Sequence, residues 1–199
     1  RLRVRDRARW AGTLVFAGAA QFTILLVVAE AIYPGYSVSH NYISDLGNYH
    51  LAPSTPHAII FNVSIVLLGV LLMEGGALLW SRGLVDRLLS AFIVLSGVGA
   101  AGVGVFTETA PYHLHEIFSL IVFLFASLAS YPAALYRRGS SPAWPVLGTL
   151  GLVALGLFVA GYYAGLGWGG MERMIVYPNL VWALGFSASL MTSGGRDIH

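Results

Sequence analysis

The chain has 199 residues, 57% of them hydrophobic and only 10% charged, with a mean hydropathy of +0.74. A soluble domain of this length has too little interior to hide that apolar surface, so the composition excludes a soluble enzyme and is that of an integral membrane protein. The net charge of +2 comes from eleven arginines and no lysine, which in a membrane chain reports topology and not nucleic-acid binding, and the lack of cysteine removes disulfides, iron–sulfur clusters and thiolate chemistry.

A spanning helix needs about 20 mostly apolar residues. Six segments meet that length, over 10–32, 57–80, 86–107, 113–136, 143–165 and 171–192. Tyr33-Pro34-Gly35-Tyr36, Ser81-Arg82-Gly83 and Arg137 to Pro142 read as turns, and the GLGWGG run from Gly165 to Gly170 separates the last two segments. The expectation is an all-α, integral membrane six-transmembrane-helix bundle forming one domain over 1–199. The arginine-rich start also admits a cleaved signal peptide, but the apolar run behind it is long enough to span.

Arg1, Arg3, Arg5, Arg7 and Arg9 precede the first segment, and Arg82, Arg87, Arg137, Arg138 and Arg196 fall in later connections on the same side. The positive-inside rule makes that side, and both termini, cytoplasmic, in a multi-pass protein of the cell (plasma) membrane surrounded by membrane lipids. Arg173 alone falls on the other side.

Most of the remaining polar chemistry is extracytoplasmic. The long connection 33–56 carries His40, Asp45 and His50, and its Tyr, Asn and Ser content is that of an ordered loop. His57 opens the second segment, Glu108, His113, His115 and Glu116 lie between the third and fourth, and Glu172-Arg173 opens the sixth. Glycine and alanine mark close helix contacts: Asn62, Gly69 and Gly76 on one face of the second segment, Gly97, Ala101 and Gly104 on the third, Gly161 and Gly165 on the fifth.

His113 and His115 point about 200° apart on a helix, so only one can face the interior. His113 aligns with Ile117, Leu120 and Leu124, a lipid-like stripe; His115 aligns with Ser119, Val122 and Ala126 and is the inward candidate. It reads as a structural histidine bonded to Glu108 or Glu172, as an axial ligand of haem iron, or as a hydrolytic metal ligand. His57 or His40 would stand opposite it on iron. Glu172 and Arg173 pair locally, or Arg173 anchors a haem propionate or a quinone carbonyl. Tyr177-Pro178 follows, and the proline kink marks a cavity. Asp45 makes an Asx-type turn or carries a proton, and Glu74 reaches Arg82 or Arg87.

The stretches YPGYS (33–37), YISDLG (42–47), FN (61–62) and ERMIVYP (172–178) with Trp182 beyond resemble a membrane family catalogued as domain of unknown function 998, over about Tyr33 to Leu190. The resemblance implies six helices and points to Tyr33, Pro34, Gly35, Ser44, Asp45, Leu46, Gly47, Asn62, His115, Glu172, Arg173, Tyr177, Pro178 and Trp182. It also implies a link to haem and quinone. His40, His57 and His113 depart from the family pattern. The expected function is then a homodimeric b-type haem protein that exchanges electrons with a membrane quinone near the outer face. In it His115 holds haem b, His57 or His40 stands opposite, Arg173 and Tyr177 contact the cofactor, and Asp45 or Glu172 moves the proton. The alternatives are a metal-dependent membrane lipid hydrolase and a non-catalytic scaffold or small-molecule binder.

Overall fold

The computed structural model describes residues 4–48 and 56–192. His50, Arg196 and His199 lie outside the described residues. Six helices organise the chain: α1 (Val4–Ile32), α2 (Pro56–Leu79), α3 (Leu84–Val105), α4 (Leu114–Leu135), α5 (Ala143–Val159) and α6 (Gly167–Thr192), with no strand among the described residues. Each helix packs on its sequence neighbours and α6 returns to α1, closing a ring. Five are long and apolar enough to cross a membrane; α5, with 17 residues, is shorter.

Glycine determines how closely α2 and α3 approach. A Cβ on Gly69 would stand 2.5 Å from the Gly97 carbonyl and from the Ala101 backbone nitrogen, and one on Gly104 would stand 2.8 Å from the Asn62 carbonyl. The stripes expected on these two helices therefore face each other, backbone against backbone. Inside the ring, Phe22, Leu26, Phe61, Leu89 and Phe186 are buried.

The expected fifth segment, 143–165, is corrected at its end. Gly161 takes φ 72°, in the left-handed region; its N–H bonds the Phe158 carbonyl at 3.0 Å, and the Tyr162 N–H bonds the Leu157 carbonyl at 2.9 Å. This pair of bonds is a Schellman stop, which glycine accommodates without steric cost. Gly161 and Gly165 thus lie in the connection after α5, where an added Cβ would meet nothing within 4 Å. They are not a packing stripe. The helix after them starts earlier than expected, at Gly167, because Gly169 has no side chain. A Cβ there would stand 2.7 Å from the Val38 carbonyl, so the loop 33–48 lies directly on the first turn of α6.

Candidate functional site

The loop 33–48 is fastened to four parts of the bundle. Arg173, 4% exposed, is its main anchor: one terminal nitrogen donates to the carbonyls of Val38 (2.9 Å), Asn41 (3.2 Å) and Gly169 (2.9 Å). The other donates to Glu30 Oε1 at 2.6 Å and to the Tyr36 hydroxyl at 2.5 Å. Tyr36 passes the connection on by donating to the Tyr42 carbonyl at 3.0 Å, and burial holds its phenol above the ordinary range. On the α2 side, His57 Nδ1–H donates to the Leu46 carbonyl at 2.9 Å and Asn62 donates to the Gly47 carbonyl at 3.0 Å. Ser44 donates to Glu108 at 2.7 Å, tying the loop to the α3–α4 connection. The Ile43 N–H donates to Glu172 Oε2 at 2.5 Å.

Under this roof, between α4, α5 and α6, lies a cavity of about 610 Å³. Its polar side consists of Tyr42, Ser44, Asp45, Glu108, His115 and Glu172, with Glu116 and Ser119 on α4; its apolar side consists of Leu120, Phe123, Leu155, Phe158 and Val159. A second hollow of about 100 Å³, almost wholly apolar, runs on into the bundle, and Ser44, Ser119, Phe123 and Glu172 line both.

The start of α4 aims His115 inward. Pro111 to His113 form a tight turn in which Tyr112 and His113 both hold positive φ (61° and 54°), leaving His113 exposed and paired with Glu116 at 3.3 Å. His115 is 8% exposed, and its Nδ1 lies 2.8 Å from the Phe106 carbonyl. A carbonyl only accepts, so Nδ1 carries a proton, and His115 lines the cavity with Nε2 outside this bond. The expected bond to Glu108 or Glu172 is replaced by this one.

Besides Glu116, already paired with His113, three carboxylates line the polar side. Asp45 accepts from Asn41 at 2.9 Å and from the Tyr42 N–H at 3.0 Å, reaching back along its own turn. Burial pushes Glu108 above the usual carboxylate range, and the neighbouring Asp45 adds to the rise while the Ser44 hydroxyl opposes it. Glu172, 6% exposed, has the Ile43 N–H as its hydrogen-bond donor. Two ion pairs exist among the described residues, Arg173–Glu30 and His113–Glu116, and neither involves these three acids.

The residues expected at the site are thereby sorted. His115, Asp45 and Glu172 meet at one cavity; His57, His40, Arg173 and Tyr177 do not line it. His57 is 2% exposed and lies against Tyr33 (ring centroids 4.6 Å apart), holding the loop. His40 is exposed, edge-on to Trp168 at 5.6 Å. Arg173 pairs with Glu30 and not with Glu172, Tyr177 is 40% exposed, and Glu74 is exposed and belongs to neither ion pair. Phe123 and Phe158 belong to the cavity without any signal in the sequence, since aromatic residues in apolar runs look alike, and Tyr42 stands out only as the first residue of the YISDLG motif. Glu30 was visible as an acid at a helix end, but its partner lies 143 residues away.

A b-type haem held by two axial imidazoles needs two histidines facing each other, and its propionates favour cationic partners. The cavity offers one imidazole, no guanidinium and four carboxyl groups, which does not fit a bis-imidazole haem. Among the described residues no group of three or more His, Asp or Glu stands close enough to hold a metal ion. The lining instead combines an imidazole and carboxylates with the aromatic residues Phe123 and Phe158.

A family profile described as "Protein of unknown function (DUF998)" matches residues 8–189, and the chain belongs to that family. No curated protein and no solved structure matches the chain.

Proposed function

We propose that this DUF998 member is a multi-pass membrane protein that holds the polar head of a membrane quinol beneath the loop 33–48, with His115 and Glu172 accepting hydrogen bonds from its hydroxyls. One observation carries the reading. Two acceptors, each more than nine-tenths buried and each on a different helix, face a cavity whose remaining wall is aliphatic and aromatic. Burying acceptors is costly unless a donor arrives to satisfy them. A hydroquinone ring brings two hydroxyl donors and an apolar tail.

In its neutral form His115 accepts a hydrogen bond from a quinol hydroxyl at Nε2 while its Nδ1–H stays on the Phe106 carbonyl, which fixes the ring plane. Glu172 is oriented by the Ile43 N–H and offers its free oxygen. Ser119 and Tyr42 supply hydroxyl donors that an oxidised ring would need, while the Ser44 hydroxyl is already given to Glu108, and the surplus of carboxylates favours the reduced form. The chain crosses the cell membrane six times in this reading, α5 included. Arg7, Arg9, Arg82, Arg87, Arg137 and Arg138 stand at the helix ends opposite the cavity, so that end is cytoplasmic.

The test is quinol titration against purified protein in nanodiscs. His115→Ala and Glu172→Gln should each weaken binding by about tenfold or more, the weight of a hydrogen bond involving a charged group, and quinol should bind more tightly than quinone. Binding that both variants leave intact would refute the site. The same sample gives a visible spectrum, in which a Soret band lost on His115→Ala would bring haem and electron transfer into the reading.

A further inference from the structure

One wall of the cavity is also an outer surface. Leu120 and Val159 both line the cavity, yet they are 49% and 74% exposed on the flank of the bundle. Leu120 lies in the second turn of α4 and Val159 is the last residue of α5. The Schellman stop at Gly161 ends α5 there, and the chain runs on without regular helix until α6 begins at Gly167. At this height the partition between α4 and α6 is therefore incomplete.

The surface around the gap is hydrocarbon-like: Ile117 on α4 and Val153 on α5 are 49% and 55% exposed. Glu116, exposed and paired with His113, sits one turn above Leu120 and marks where headgroups begin. Above the cavity lies the loop 33–48, and a solute passing through it would have to break its bonds to Arg173, Glu172, His57 and Asn62; the exposed Glu116 stands at the polar edge of the cavity lining.

We infer that the site is loaded sideways from the outer leaflet, through the gap between Leu120 and Val159, and that its ligand is a lipid-borne molecule whose tail stays in that gap. The inference rests on the quinol reading of the cavity and adds the route and the need for a tail. Phe123 and Phe158, which also line the cavity, receive the ring as it passes from bilayer to acceptors.

The experiment uses the full chain in nanodiscs and two probes, a quinol with a long isoprenoid tail and the tail-less hydroquinone ring added from water. The variant Leu120→Trp with Val159→Trp fills the gap; Ile117→Trp, equally exposed but off the cavity, is the control. The gap variant should lose about tenfold or more in affinity for the tailed quinol, equivalent to roughly 1.4 kcal/mol, and clearly more than it loses for the ring, with the control unchanged for both. Tailed-quinol binding that survives in the gap variant overturns the route while leaving the quinol reading standing. An equal loss for both probes overturns it too, because a gap that holds the tail must cost the tailed quinol more than the ring. Wild-type protein that binds neither probe overturns the quinol reading itself.

Discussion

Replacing Arg173 by methionine tests whether the roof of the cavity is held from below. The guanidinium is 4% exposed and serves five acceptors, three of them loop or helix carbonyls, with its ring partner Tyr36 centred 5.4 Å away. Methionine leaves the Glu30 carboxylate, itself only 16% exposed, without a cation, and leaves the Val38 and Asn41 carbonyls without a donor. Breaking a buried pair in this way costs about 3–5 kcal/mol, or about two to three and a half powers of ten in the equilibrium that keeps the loop closed. The Glu30→Gln, Arg173→Met double variant removes the orphaned charge and should recover part of that loss, so the pair shows coupling in a double-mutant cycle. Limited proteolysis in detergent reads loop opening through cleavage within 33–48, and thermal unfolding reads the rest. Arg173 does not line the cavity, so its variant should lose quinol affinity only as the loop opens. Unchanged cleavage and a melting temperature equal to wild type would refute the argument.

Glu108 should make stability pH-dependent: its value in the folded protein is raised above the ordinary 4.5, so its contribution is complete below that pH and is lost as pH rises through the higher value. Glu108→Gln, which retains the acceptor for Ser44, should flatten that fall in a melting series and match wild type in acid. His57→Ala should cost about 1–3 kcal/mol by stranding the Leu46 carbonyl while leaving the affinity of the closed site for quinol unchanged, the opposite pattern to His115→Ala. Gly97→Ala places a Cβ 2.6 Å from the Gly69 carbonyl and should cost about 1–3 kcal/mol by spreading α2 from α3. Gly156→Ala, with nothing within 4 Å, should be neutral or stabilising in the same assay.

Whatever in this chain is periodic or local could be read from residues alone. Apolar runs and turn signals located six helices, and glycines spaced along α2 and α3 announced the contact that those helices make. The stripe comparison between His113 and His115 picked the inward ring, because helical periodicity carries over from neighbours whose character is clear. The end of α5 was hidden, since Gly161 looks the same as a packing glycine and as a helix stop until the backbone is traced. The partners of Arg173, His57 and Ser44 were hidden for another reason. Each bond joins segments far apart in the chain, and nothing in composition says which of several acids or carbonyls folding will bring to a given donor. The family motifs become intelligible afterwards: Tyr36, Ser44, Leu46, Gly47, Asn62, Glu172 and Arg173 all supply groups that fasten the loop.

The brevity of α5 reaches beyond the protein. Seventeen residues rise about 25 Å, whereas an ordinary hydrocarbon layer is about 30 Å thick. The neighbouring α4 and α6, with 22 and 26 residues, impose no such shortfall. In the proposed six-span reading, lipids meeting this one side must thin or lean, at fractions of a kcal/mol per Å, so the deformation is lopsided and sits beside α5. Membrane thickness then becomes a variable to which this molecule responds, and it would partition toward thinner regions of a mixed bilayer.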